Sequence, residues 1–235
     1  MFLFLKLILA HLIADYILQF EELYQLKVRS FLGQWLHALI HGLVTLALLY
    51  PYLNEPSIWV FTAALVLIHL TQDLIKYTFT KKTPANTFAY FMADQACHFL
   101  VLSCVFLLPV SHEIRGFPHA AFLDSLYRSN FSTLVAIFFI TLTFAGSYIL
   151  NAFSKSYLKG HAPLYLITSP EMTHAIIERS LMAGIFFLSD SPWRLLLIPC
   201  VGVLRLPFKL LRERTAFLLS LAYALLICML FQRIF

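Results

Sequence analysis

Charged side chains are scarce in this sequence. Asp, Glu, Lys and Arg make up 12% of its 235 residues, whereas 60% are hydrophobic. A soluble domain carries roughly a quarter charged residues, so this chain has too little polar surface to cover a globule in water. No basic segment precedes the first apolar run, Met1-Phe2-Leu3-Phe4-Leu5, and no small-residue cleavage site follows it. The run continues through His11 and Asp15 and reads as a retained first span rather than a signal peptide. Paired cysteines are absent too: Cys97, Cys104, Cys200 and Cys228 are scattered in apolar stretches, which excludes a thiolate metal motif and makes them small core residues. No basic face is sustained, so the net charge of +5 belongs to Lys and Arg beside apolar spans and excludes a nucleic-acid surface.

What the sequence does hold is long apolar runs, with a mean hydropathy of +0.80. A span needs about twenty such residues. The pattern predicts an all-α, polytopic transmembrane bundle of seven or eight helices, near 2–20, 35–51, 58–79, 87–109, 131–151, 174–189, 193–208 and 215–232. Ser30 with Gly33, Pro51 with Pro56, and Pro84 mark the first three gaps. Pro192, Pro199 and Pro207 bound and interrupt 193–208, which suits a kinked or re-entrant segment. Three regions follow: 1–109, an external loop at 110–130 that lies along the interface through Phe117, Phe122, Leu123 and Tyr127, and C-terminal helices at 131–235.

Assigning loops alternately to two sides places Lys27, Arg29, Lys76, Lys81, Lys82, Lys155, Lys159, Arg205, Lys209, Arg212 and Arg214 on one side. Only Arg115, Arg128, Arg194 and Arg233 fall on the other. The positive-inside rule makes the first side cytoplasmic and starts the N-terminus outside.

Against this apolar background four helices each carry two potential metal ligands at i, i+4, hence on one face. The pairs are His11 and Asp15, His37 and His41, His69 and Asp73, and Asp94 and His98; Gln19, Gln72 and Gln95 extend the same faces. An unpaired aspartate in mid-span costs about 2.5–3.5 kcal/mol on insertion scales, so such groups persist where they face a bundle interior. His11 to His69 and Asp15 to Asp73 are offsets of 58 residues; His37 to Asp94 and His41 to His98 are offsets of 57. These offsets predict two parallel helix-pair repeats that bring the four faces together, all in the cytoplasmic half of the span. Glu178 and Arg179 are expected at a similar depth.

Five imidazoles and three carboxylates suit a divalent metal, Zn²⁺ or Mn²⁺ first, with Fe²⁺ also compatible. Eight ligands would hold two ions, or one ion and its supporting groups. Asp15, Asp73 or Asp94 is a candidate base, with Lys76 or Arg179 holding an anionic group and Lys27 beside them; Gln19, Gln72, Gln95 and Glu178 are supporting candidates. Three readings stay open. One is a metal-dependent membrane hydrolase acting on a lipid-linked or amphiphilic substrate. The second is a metal-ion or proton transporter, and the third a non-catalytic assembly protein with a structural polar core. The first four spans have no Gly or Pro near the ligands except Gly42, which favours a static site over the broken helices of alternating access.

The pattern from His11-Leu12-Ile13-Ala14-Asp15 with Gln19, through Lys27, His37, His41, His69, Asp73 and Lys76, to Asp94-Gln95 and His98 resembles a family of bacterial integral membrane proteins known only as a domain of unknown function. The likeness extends to Glu178-Arg179, where that family carries glycines ahead of the pair and this chain has Met172, Thr173 and His174. It implies a multi-pass protein of the bacterial cytoplasmic membrane. The His-x-x-x-Asp helices are also similar to those of bacterial membrane-bound metal-dependent hydrolases, which supplies a reaction class by analogy.

Overall fold

The computed structural model describes residues 1–117, 120–158, 170–188, 198, 200–201 and 212–234. Every element among them is helical. The chain divides into two compact units, Met1–Pro84 with Ala89–Ile137, and Ala85–Phe88 with Phe138–Phe235.

The first unit opens with α1 (Phe2–Leu12), which continues as a π-helical turn at Ile13–Ile17. Leu18 N–H closes that turn on Ile13 O at 2.9 Å. The chain then bends by 89° into α2 (Glu21–Arg29), so the single helix expected at 2–20 is a broken pair. Neither Gly nor Pro makes this break. The extra residue of the π turn and the extended backbone of Phe20 make it, and neither leaves a composition signal. α2 carries Glu21 and Glu22 in its first turn and Lys27 and Arg29 in its last, each complementing the helix dipole.

Ser30 ends α2 and caps α3 (Phe31–Leu48): its Oγ accepts the Gly33 N–H at 3.0 Å. The second span therefore begins four residues before the expected 35, and Gly33 lies inside it. There a Cβ would stand 2.2 Å from the Leu26 carbonyl group, so glycine is required by the close approach of α2. A 3₁₀ turn at Tyr50–Tyr52 leads to α4 (Pro56–Lys82), with Pro56 in its first turn. After a second 3₁₀ turn at Pro84–Asn86 comes α5 (Thr87–Ser103), then 3₁₀ turns at Cys104–Leu107 and Pro109–His112. α6 (Ala121–Arg128) and α7 (Asn130–Ile140) follow.

The segment expected along the interface splits in two. Tyr127 and Phe117 pack inward against Phe2, Leu3 and Tyr52, whereas Phe122 and Leu123 are exposed. This apolar cluster fills one end of the helix group. It draws on the N-terminal half of α1, the C-terminal ends of α3 and α5 and the start of α4. The outward faces of α3, α4 and α5 carry Leu43, Val60, Leu67 and Leu100, each more than half exposed.

In the second unit a π turn at Thr141–Ala145 passes into α8 (Gly146–Tyr157), followed by α9 (Pro170–Leu188) and α10 (Arg212–Gln232). Its core joins Leu142, Met182, Phe186, Ala224 and Cys228. The helix expected at 193–208 lies outside the described residues except for 198, 200 and 201. Among the described residues four helices, Phe31–Leu48, Pro56–Lys82, Thr87–Leu107 and Asn130–Tyr157, are long and apolar enough to cross a membrane, or five if the bent pair is one span.

Candidate metal centre

Helix periodicity turns each i, i+4 pair inward, and α1, α3, α4 and α5 bring all eight predicted ligands into one buried cluster. Four imidazoles form a closed ring, one from each helix. Going round, His11 and His41 have centroids 5.2 Å apart, His41 and His69 3.7 Å, His69 and His98 4.5 Å, and His98 and His11 4.8 Å. One helical turn away lie Asp15, His37, Asp73 and Asp94. Beside His41, Gly42 lets α3 and α4 pack closely, because a Cβ there would stand 2.7 Å from Val66 Cγ2.

The three aspartates have different surroundings. Asp15 is ringed by imidazoles: His37 Nε2 and His41 Nε2 both stand 3.1 Å from its Oδ1, and His11 Nε2 is 3.3 Å from its Oδ2. Among the described residues no ammonium or guanidinium is within ion-pair distance of it. Asp73 and Asp94 are bound by lysines instead. Lys27 Nζ is 2.7 Å from Asp73 Oδ2. Lys76 Nζ bridges Asp73 Oδ1 at 3.0 Å and Asp94 Oδ2 at 2.7 Å. His69 Nε2 lies 3.2 Å from Asp73 Oδ2, an ion-pair distance without hydrogen-bond alignment. With neutral imidazoles, two ammoniums offset two carboxylates, and the charge left over is that of Asp15.

One ligand atom from each of Asp15, His37, His41 and His69 lies within 4.8 Å of all the others. Nitrogen and oxygen ligands sit about 2.0–2.2 Å from Zn²⁺, which sets neighbouring ligand atoms in a tetrahedron about 3.4 Å apart. The 3.1 Å contacts of Asp15 with His37 and His41 are hydrogen bonds a little shorter than that spacing, the set as a whole is wider, and the donor set is one of borderline hardness.

His98 is oriented differently. Its Nδ1 donates to the Asp94 carbonyl at 2.7 Å, which leaves the lone pair on Nε2, and Nε2 is buried with no hydrogen-bond partner. His98 borders a cavity of about 20 Å³ that His11, His41, His69 and Gln72 also line, closed on its apolar side by residues that include Leu7 and Val66. A space of that size takes one water molecule.

Two of the supporting candidates, Gln19 and Gln95, contact side chains of the cluster. Gln19 Oε1 accepts from Lys27 Nζ at 3.2 Å, and Gln95 Oε1 faces His11 Nε2 at 3.4 Å. Lys76, expected to hold an anionic group with Lys27 beside it, faces Asp73 and Asp94, and Lys27 faces Asp73. Glu178 and Arg179 belong to the second unit, where Arg179 is fully buried and donates from Nε to Ala175 O at 3.1 Å and from Nη2 to Ser147 Oγ. Sequence reasoning missed Tyr16, whose hydroxyl donates to Gln95 Oε1 at 2.9 Å. Tyr16 is five residues after His11, off the face in α-helical spacing. The π turn restores it to that face.

A family model described as a protein of unknown function (DUF3307) matches residues 3–121. This range contains every member of the cluster and stops short of Glu178-Arg179, to which the sequence likeness had been extended. No curated protein and no solved structure matches the chain.

Proposed function

The chain belongs to this family of proteins of unknown function, and we propose that it is a multi-pass, metal-dependent hydrolase of the bacterial cytoplasmic membrane, acting on a lipid-linked or amphiphilic substrate from the cytoplasmic side. The observation that carries the reading is Asp15: a buried carboxylate with three imidazole nitrogens at 3.1–3.3 Å and, among the described residues, no lysine within ion-pair distance. The membrane setting is supported by the many large apolar side chains exposed on the outer faces while His and Asp side chains are buried. It is also supported by the Lys and Arg asymmetry of the loops, which starts the N-terminus outside.

Asp15, His37, His41 and His69 would hold the ion. Such an ion lowers the pKa of water and polarises a phosphoryl or acyl oxygen. His98 Nε2, bare and at the cavity, is the group placed to take a proton from a water there. Asp73 and Asp94, the other candidate bases, are neutralised by lysines. Phe20, just before α2, and Phe31 and Leu32, at the start of α3, are each at least half exposed, which suits a substrate with an apolar tail.

A second reading, transport of a metal ion or proton through the same residues, is favoured by the π turn that contains Asp15 and the 89° bend that follows it. Elemental analysis of detergent-purified protein, repeated on Asp15→Ala and His69→Ala, tests the metal. The expected result is a divalent ion in the wild type that both variants lose, and a metal-free, folded wild type sinks the proposal. Hydrolysis of a component of a lipid extract then supports the enzyme. Metal-dependent flux into proteoliposomes without hydrolysis supports transport.

A further inference from the structure

Asp73 and Asp94 are paired with lysines, and among the described residues Asp15 is not. Lys76 Nζ lies between Asp73 and Asp94 at 3.0 and 2.7 Å, touching one oxygen of each carboxylate, the position a divalent cation held by both carboxylates would take. Lys27 Nζ stands 2.7 Å from Asp73 Oδ2, an oxygen that His69 Nε2 and His37 Nε2 approach at 3.2 and 3.6 Å. That oxygen thus already has the set of neighbours that a second ion would draw on. We propose that the Asp73–Asp94 half of the cluster is a cation subsite filled by the chain's own lysines, so that the protein binds a single divalent ion, at Asp15. The inference rests on the metal reading above.

The sequence offers an independent argument. At the 58-residue offset that aligns Asp15 with Asp73, the position matching Lys76 is Leu18. One half of the pattern carries the ammonium and the other an aliphatic side chain. The lysine is thus one of two differences between the ligand sets, the other being Asp94 where the first set has His37, and the ammonium stands on the side that carries the additional carboxylate. Charge sets the direction. Without Lys27 and Lys76, Asp73 and Asp94 would leave two uncompensated negative charges among imidazoles, a surrounding that draws a divalent ion in.

Zn²⁺ per chain, measured by elemental analysis after dialysis against the metal, tests this on the wild type and on the double variant Lys27→Met with Lys76→Leu. One ion in the wild type and two in the folded double variant are expected. Two in the wild type would overturn the inference and leave the metal reading standing. A folded double variant that still binds one would overturn it as well, whereas none in the wild type overturns the metal reading itself. If the double variant does not fold, Mn²⁺ loaded into the wild type decides. An electron paramagnetic resonance spectrum of an isolated ion is expected, and an exchange-coupled pair is the contrary result.

Discussion

Asp15 Oδ1 and His37 Nε2 stand 3.1 Å apart, and the same imidazole nitrogen lies 3.6 Å from Asp73 Oδ2. His37 therefore joins the two halves of the cluster while belonging to the lysine-free one. This makes the aspartates separable by mutation. Asp15→Asn removes the anionic ligand and is expected to abolish metal binding with the fold retained. Asp73→Asn leaves that ligand in place but strips Lys27 and Lys76 of a carboxylate that is 1% exposed. Breaking a buried pair in this way costs about 3–5 kcal/mol. Thermal unfolding in detergent alongside elemental analysis distinguishes the two: loss of metal without a large fall in Tm for Asp15, and a large fall in Tm for Asp73.

The positions of the ligands were legible in the sequence because helical geometry is rigid: i, i+4 spacing fixes a shared face whatever the partners are. The roles of the lysines were not. Whether Lys27 reaches Asp73 depends on the 89° bend after Leu18, and that bend follows from a π turn rather than from Gly or Pro. Tyr16 was hidden for the same reason, since α-helical spacing points it away from His11. The ends of the helices were legible where a side chain caps or a proline starts them, as at Ser30 and Pro56. Gly33 resembled a breaker because its requirement is steric and lies in α2, a helix the sequence did not announce.

The contact at Gly33 makes a prediction with its own control. In Gly33→Ala the new methyl would lie 2.2 Å from Leu26 C and O and 2.5 Å from Lys27 N. These are backbone atoms that cannot rotate away, so α2 must move and carry Lys27 with it. A loss of about 1–3 kcal/mol is expected. Gly184→Ala, in α9, has nothing within 4 Å of its added Cβ and gains helix propensity of up to about 1 kcal/mol. Denaturation of both variants under one set of conditions checks the opposite signs.

At the other end of the first unit Asp124 Oδ1 accepts from Phe117 N at 2.6 Å and Arg128 Nε at 2.9 Å. The Arg128 guanidinium holds the Asp124 carboxyl below its usual value. A carboxyl depressed in the folded state stabilises above its unfolded pKa, and the contribution is lost as pH falls through the folded value. The segment 113–128 is therefore expected to loosen below about pH 4. Asp124→Asn should be loose already at neutral pH. Proteolysis within this segment, followed against pH in both proteins, would contradict the assignment if the wild type and Asp124→Asn gave the same profile.

Lys6 supplies the last test, because it is a buried ammonium outside the ligand cluster. Its Nζ donates to Tyr127 O at 2.5 Å and Thr133 Oγ1 at 2.6 Å, and lies 4.4 Å from the Tyr127 ring centroid. These contacts fasten α6 and the start of α7 to α1, and among the described residues no carboxylate faces the ammonium. In Lys6→Met the stem still fills the space between Phe2 and Tyr127, while the two hydrogen bonds to a charged donor are lost, about 1.5–3 kcal/mol each. Part of that loss returns, since an ammonium no longer has to be buried. A net fall of about 1–2 kcal/mol is expected, together with faster hydrogen exchange in Ala121–Arg128 and an unchanged metal content. Were Lys6→Met to lose the ion, the ligand cluster and this fastening would be coupled through α1, and the separation of the two ends of that helix would be wrong.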